Sequence, residues 1–422
     1  MSSPAEPRGR GAVDELRRII RRIEASRSAR LAPEPVEHVV GGELVDTPAG
    51  RLVTVRREFP LGHCHGRLAL GQALDASSDV LSLIARSEAV PAEARGLLFL
   101  DTETTGLAGG TGTYAFLVGV GYVEGDRFVV VQYFMRDFDE EPALLAALEP
   151  LLGRASGLVT FNGSGFDLPL LETRFLLARR RWPAVPGQLD LLRPARRVWA
   201  TRLADCRLLT LEREVLGLVR DDDVPGALIP ALYFDFLRSR CAGPLARIFA
   251  HNRADVLSLV GLLGWFTRTL AGGDVGVRPW ELAGLGRLWE RSDRERSAEY
   301  YRAALAAGLD GAEACGVRLR LALWEKRLAR WDAACALWEA VAGAGRFDLH
   351  PWEELAKYHE HRRGDFGRAR DIVCRALGRA RSGGASAPAL DALGRRLGRL
   401  ERRLAAGRPS SPAGKLTAIA PG

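Results

Sequence analysis

The sequence predicts an α/β domain, built as one mixed five-stranded sheet with helices packed on it, followed by an all-α domain of helical repeats. Two observations carry this. Between residues 97 and 192, short apolar runs bounded by turn residues alternate with longer amphipathic stretches of helical period. Past Gly272-Gly273 the strand-like runs disappear, and a helical signature returns at a fixed interval of 36 residues.

In chain order, residues 13–24 (VDELRRIIRRIE) place Val13, Leu16, Ile19, Ile20 and Ile23 on one face with Arg opposite, an amphipathic helix expected to pack on the protein itself. Residues 43–59 read as two extended segments around Thr47-Pro48-Ala49-Gly50, a small β element ahead of the main domain. These make residues 1–92 an N-terminal region of helix and β element. The α/β domain is expected over 93–272. Its strands are LLFLD (97–101), YAFLVGVGYV (114–123), RFVVVQYFM (127–135), GLVTFN (157–162) and QLDLL (188–192). The second and third are joined by Glu124-Gly125-Asp126, and helical patterns fall at 142–152, 167–181, 208–217, 228–240 and 244–270. Three neighbouring strands followed by alternating helix and strand make a mixed sheet.

The all-α domain is expected over 278–406 as three helical pairs, 281–306, 316–342 and 352–379. The second helix of each carries a small-x₃-large-x₂-Ala signature: Ser297, Tyr301, Ala304; Ala333, Leu337, Ala340; Ala369, Val373, Ala376. The interval is close to the roughly 34 residues of tetratricopeptide repeats, and the small residues permit the close helix packing such arrays need. The tail 407–422, rich in Pro, Ser and Gly, is expected to be disordered.

Composition narrows the function. With 422 residues, 47% apolar and 27% charged, the chain is neither disordered nor fibrous overall. No apolar run is long enough to span a membrane, and residues 1–30, with eight Arg, lack the apolar core of a secretory signal, so a cytoplasmic location is expected. Six scattered cysteines without a C-x-x-C pair exclude a disulfide framework or zinc ribbon. The net charge of +8, with all basic residues but Lys326, Lys357 and Lys415 being Arg, points modestly toward phosphate and nucleic acid.

The chemistry lies in four acids. In FLDTETTGL, Asp101 and Glu103 stand two apart at a strand's end and so share a side. In FNGSGFD, Asp167 follows a buried strand, with Gly163 and Gly165 allowing a tight turn. In HNRADVLSL, His251 and Asp255 lie four apart on a helix and share a face. Singly, each has a bland reading as surface acid, helix cap or surface pair. Jointly they supply four oxygen donors that suit two Mg²⁺ or Mn²⁺ ions, hard cations able to stabilise both the attacking and the leaving oxygen of a phosphoryl displacement. His251, with an ordinary pKa near neutrality, is the candidate for accepting the attacking water's proton.

At these residues the chain resembles the DEDD superfamily of 3′ to 5′ exonucleases, whose fold is ribonuclease H-like and whose motifs match Asp101 with Glu103, Asp167 and Asp255. More narrowly it is similar to the bacterial YprB/MrfB-like family, in which such a domain precedes tetratricopeptide-like repeats. The likeness covers roughly 93–272 well, the repeats more loosely and the first 90 or so residues least. The superfamily's third motif has His five residues before Asp, or Tyr four before; here His251 occupies the tyrosine slot. The resemblance implies a metal-dependent exonuclease of DNA preferring single-stranded 3′ ends, a role in DNA repair, a helicase partner, and a protein partner held by the repeats. An inactive scaffold on the same fold and a ribonuclease are the competing readings.

Around the acids, Thr102, Asn162, Arg174, Arg179 and Arg180 are the candidate substrate contacts. The three arginines open a stretch, 174–202, with eight Arg, one acid and two tryptophans, Trp182 and Trp199. It reads either as a phosphate track with stacking aromatics or as a solvated helix face with core tryptophans. Asp221-Asp222-Asp223 reads as a turn, since three adjacent acids cannot all face one ion. GLAGGTGT lacks the Lys of a phosphate-binding loop. His63-Cys64-His65 and the basic stretch 379–403 read as structural and as a solvated helix face.

Overall fold

A computed structural model describes residues 34–85, 93–106, 111–273, 276–345 and 347–406. The predicted helix at 13–24, the tail 407–422 and most of the glycine-rich string after Gly106 lie outside these. The chain forms two compact units. The first, among described residues, comprises 34–193 and 207–273; the second comprises 194–206 and 276–406. No helix among the described residues is long and apolar enough to cross a membrane.

The first unit is organised on one sheet of seven strands: β1 (Glu43–Thr47), β2 (Gly50–Pro60), β3 (Leu97–Thr104), β4 (Ala115–Glu124), β5 (Arg127–Phe134), β6 (Gly157–Thr160) and β7 (Gln188–Asp190). Their spatial order is β1-β2-β5-β4-β3-β6-β7. The five strands expected from the sequence are all present, but the count of five is corrected to seven. The 43–60 hairpin does not stand apart: β2 pairs antiparallel with β5 from Val53↔Phe134 to Pro60↔Arg127. The reason is edge protection. Without β2, β5 would be an open edge whose Val129 and Val130, on opposite faces, are both buried. β3, β4 and β5 are antiparallel neighbours, whereas β6 and β7 run parallel to β3, as crossovers through helices require.

The longer helices of this unit are α1 (Glu141–Arg154), α2 (Asp167–Leu177), α3 (Ile229–Ser239) and α4 (Leu245–Leu270). Two glycines set how closely α4 approaches the sheet. A Cβ at Gly119 on β4 would lie 2.1 Å from Asn252 Oδ1, and one at Gly121 would lie 2.7 Å from Val256 Cγ1. Any side chain at either position would push α4 off the strand, so the glycines decide where the residues of this helix reach the sheet. An aromatic cluster seals the same region: Phe116 stacks on Tyr233 at 3.9 Å between centroids, and Phe134 packs against Tyr233, Phe236 and Phe249. Such pairs add about 0.5–1.5 kcal/mol each beyond their buried area.

The second unit is a run of helical hairpins, α5 (Pro279–Trp289) with α6 (Arg294–Ala306), α7 (Gly311–Arg327) with α8 (Trp331–Gly343), and α9 (Leu349–His361) with α10 (Phe366–Ser382), ended by α11 (Ala387–Ala405). The repeat register needs a correction. In α8 the buried set is Ala334, Trp338 and Val341, while Ala333 and Ala340 are exposed, so the helix presents the next residue along at each position. The interval therefore alternates, from Ser297 to Ala334 and from Ala334 to Ala369, 37 and then 35 residues. The inward register keeps a small and then a large residue but ends on Val341 in place of Ala; the large apolar area of Trp338 decides that it faces inward. Residues 194–206 also fold with this unit. Trp199, fully enclosed, donates its indole N–H to Glu281 Oε1 at 2.8 Å, and a Cβ at Gly284 would lie 2.5 Å from Val198 Cα.

Candidate metal centre

β3 delivers the first pair of acids. The Asp101 side chain accepts from Asn252 Nδ2 at 2.8 Å, and the same nitrogen lies 3.3 Å from the Asp101 carbonyl oxygen. Asn252 is itself held by Gln132 on β5, whose Nε2 donates to Asn252 Oδ1 at 2.9 Å and to the Phe249 carbonyl at 2.8 Å. A fully buried amide pair thus fixes Asp101 relative to α4. Glu103, two residues on, is followed by a register shift in the β3–β4 ladder, the bulge-type irregularity that re-aims side chains at a strand's end.

Asp167 opens α2 but does not cap it; its Oδ1 instead accepts the hydroxyl of Thr102. The loop before it is shaped by Asp190 at the end of β7, whose Oδ1 accepts from the Asn162 N–H at 2.7 Å and from the Leu192 N–H at 3.1 Å. Asn162 takes a left-handed conformation, φ 66°, which asparagine tolerates better than most residues.

From α4, His251 and Asp255 face the β3 acids. His251 Nε2 is 3.5 Å from Asp255 Oδ2 and 3.9 Å from Glu103 Oε1. One ligand atom from each of Glu103, His251 and Asp255 can be chosen so that all three lie within 4.8 Å of one another. Behind this face stands a second layer. His251 Nδ1 meets Asp223 Oδ1 at 2.8 Å, and Arg220 ion-pairs with Asp255 and with Glu212 on the π-helical turn Glu212–Leu216. Ser258 bridges Glu212 to His65, whose Nε2 lies 2.7 Å from the Ser258 hydroxyl.

Electrostatics single the place out. Asp101 is held well above the ordinary carboxylate range by burial, then by the charges of Asp255, Glu103 and Asp167. Burial, with Asp255 and Asp167 adding to it, pushes Glu103 up to about 8. Asp167 rises to about 6 through burial, against the opposing hydrogen bond from Thr102. His251 is pulled down by burial, yet the hydrogen bond to Asp223 and the charges of Asp255 and Glu103 carry it up to about 9. His65, by contrast, is lowered to about 4 by burial and the nearby Arg220 cation. The donor set is therefore four crowded carboxylates, with one arginine and one histidine against them. Hard divalent cations fit such oxygen donors and would relieve the crowding.

Several candidate substrate contacts meet other partners. Arg174 is a correction: it is 4% exposed, clamps Glu141 through Nε and Nη2, donates to the Thr111 carbonyl at 2.8 Å and lies over the Tyr114 ring at 3.8 Å. It fastens α2 to α1 and has no face left for a phosphate. Thr102 is committed to Asp167, and Arg180 pairs with Glu149 on α1. Arg179 is exposed, at a left-handed position just past α2. Trp182 packs edge-on against Phe175, and Trp199 is a core residue of the helical unit. The 174–202 stretch is thus not one continuous phosphate track. Conversely, sequence reasoning missed Asn252, Arg220, Glu212 and Asp223. The only signal for Asp223 was its place in a triple-acid run, read as a turn; Asp221 and Asp222 do form that turn, but the last acid of the run points to the histidine.

A family model, RNase_H_2 of the RNase_H superfamily, matches residues 98–267. The chain is also 32% identical over 346 residues to the uncharacterized protein YprB of Bacillus subtilis (strain 168), covering 76% of this chain and 79% of that one.

Proposed function

Because the chain belongs to the YprB family and carries a ribonuclease H-like nuclease domain, we propose that it is a two-metal, DEDD-type 3′ to 5′ exonuclease acting on single-stranded ends of DNA. The observation that carries this reading is the cluster of acids: Asp255, Glu103 and Asp167 are near enough to Asp101 that their charges raise it, and His251 Nε2 faces Glu103 and Asp255. Asp101, Glu103, Asp167 and Asp255 would hold two Mg²⁺ or Mn²⁺ ions, which supply Lewis-acid stabilisation of the attacking and leaving oxygens. His251 accepts the attacking water's proton through Nε2. Cations on the four carboxylates would offset the charges of Asp255 and Glu103 that add to the Asp223 hydrogen bond in raising His251, and so would favour the neutral ring a base requires. Asn252 and Thr102 keep Asp101 and Asp167 in place.

The choice of DNA, the 3′ to 5′ polarity and a role in repair rest on resemblance to the DEDD and YprB families. So does the pairing with a helicase that supplies unwound strand, and the reading of α5–α10 as tetratricopeptide-like repeats offering a surface to a protein partner. The test incubates purified protein with 5′-labelled single-stranded and duplex DNA and RNA, with Mg²⁺, Mn²⁺ or chelator, beside an Asp101→Ala variant. A ladder shortening from the 3′ end of DNA that requires both cation and Asp101 is expected. A preference for RNA would replace the substrate, and no cleavage under any condition would replace the enzyme with a scaffold.

A further inference from the structure

Behind the four acids lies an arrangement that the metal reading does not use. The carboxylate of Asp223 accepts at its Oδ1 from His251 Nδ1 at 2.8 Å. An ionised carboxylate can only accept, so in the neutral ring the proton sits on Nδ1 and the lone pair sits on Nε2. Nε2 is the nitrogen that looks toward Glu103 and Asp255. Arg220 Nη1 also approaches His251 Nδ1, but at 3.4 Å, and it reaches the other Asp223 oxygen, Oδ2, at 3.5 Å. The carboxylate is nearer and better placed to hold the ring.

Asp223 is itself fixed. The preceding Asp222 adopts φ 56°, a left-handed conformation uncommon for a residue other than glycine. Arg247 on α4 locks that turn by donating to the Asp222 carbonyl at 2.9 Å, to Asp222 Oδ1 at 3.0 Å and to the Asp223 carbonyl at 3.3 Å. Arg220 ties the same loop to Glu212 and Asp255, with its side chain only 8% exposed. Loop, π-helical turn and α4 thus converge on one histidine.

We propose that Asp223 is a positioning residue that fixes the tautomer and orientation of His251, with Arg220 and Arg247 holding the loop that presents it. This rests on the reading of His251 as the acceptor of the water's proton. The geometry is that of a buried acid orienting an imidazole whose far nitrogen does the chemistry, a logic that recurs on unrelated folds. An amide in place of the acid can turn its NH₂ toward Nδ1, favouring the opposite tautomer and placing a hydrogen where the lone pair should be.

The test measures kcat, KM and the Mn²⁺ concentration for half-maximal rate on a 5′-labelled single-stranded DNA oligonucleotide, using the full chain and the variants Asp223→Asn, Asp223→Glu, His251→Asn and the double variant Asp223→Asn/His251→Asn. Melting temperatures of all four are recorded with Mn²⁺ present. Asp223→Asn is expected to lower kcat about 10- to 100-fold, the usual effect of removing a partner behind a functional histidine, with KM and the Mn²⁺ requirement unchanged. Asp223→Glu keeps an acceptor and recovers part of the rate. The double variant is no slower than His251→Asn alone, because a positioned group that is gone cannot be mispositioned. An Asp223→Asn effect that multiplies onto His251→Asn, or that falls on KM or the Mn²⁺ requirement, would make Asp223 a general support of the loop and overturn the proposal. A crippled His251→Asn beside a fully active Asp223→Asn sinks this inference alone. A fully active His251→Asn sinks the base assignment beneath it as well.

Discussion

Glutamates of the helical unit and the clustered acids of the sheet unit are buried in opposite ways. In the helical unit three buried or half-buried glutamates meet cations: Arg396 and Arg399 bracket Glu360, Lys326 and Lys357 meet Glu354, and Arg287 and Arg202 meet Glu313. Burial would raise these carboxyls, but the hydrogen bonds from those partners hold all three below the ordinary range. In the sheet unit, Asp101, Glu103 and Asp167 go the other way, raised by burial and, for the first two, by each other's neighbours. A folded chain tolerates the first kind of burial for stability. It keeps the second kind only where something else uses it, which is the physical content of a functional site.

The sharpest break in this contrast is Asp101→Asn. Losing one donor of the proposed two-cation site should lower the cleavage rate on the order of 10³-fold, equivalent to about 4 kcal/mol of transition-state stabilisation. At alkaline pH the same change removes a buried group whose ionised form its neighbours repel, while leaving an acceptor for Asn252, so the melting temperature in chelator should rise there. A variant both inactive and less stable in chelator would place Asp101 among the structural acids instead.

The counterpart is Glu360→Gln. Its side chain is fully enclosed, yet Arg399 is 43% exposed and can turn to water, so the loss is that of a partly screened pair, about 1–3 kcal/mol. Urea titration should show it, with nuclease activity per folded molecule unchanged. A stability cost as large as that of an unpaired buried charge, or a catalytic defect, would erase the distinction between the units.

What the sequence allowed one to read follows the same line. The acids of β3, α2 and α4 were legible because strand and helix periods fix which side a residue faces, and the five strands from β3 to β7 were legible from their apolar runs. The edge hairpin 43–60 was seen as extended, but its pairing with β5 is a long-range fact that no local period encodes. In α8 the set Ala333, Leu337 and Ala340 matches the signature better than Ala334, Trp338 and Val341, yet packing chose the second, because the signature takes no account of the apolar area of Trp338. Arg174 looked like its exposed neighbours in composition; only the fold shows Glu141 and Tyr114 waiting for it. Asp223 was hidden for the opposite reason, since a turn signal masked a residue that both ends the turn and touches His251.

The finest discrimination comes from pH and cations together. Glu103 at about 8 and Asp167 at about 6 lie above their ordinary values near 4, so between those limits the folded chain holds protons that the unfolded chain has released. Stability from these groups is complete below pH ~4 and is lost as pH rises through 6 to 8. The lowered glutamates of the helical unit have the reverse sign: their contribution is present above the ordinary carboxylate pKa and fades as pH falls. Divalent cations compete with the protons of the first set and ignore the second. Mn²⁺ at roughly a hundred times its dissociation constant contributes about 2.7 kcal/mol, or about 5–10 °C in melting temperature for a domain of this size. At a fixed Mn²⁺ concentration chosen in this way at pH 8, the shift relative to chelator should shrink toward zero by pH 5, because protons then occupy the oxygens the cation needs. In Asp101→Asn it should be small at every pH. A shift that is equal at pH 5 and pH 8 would mean that the cation binds elsewhere, and that the crowded carboxylates of the sheet unit are no more a metal site than the paired glutamates of the repeats.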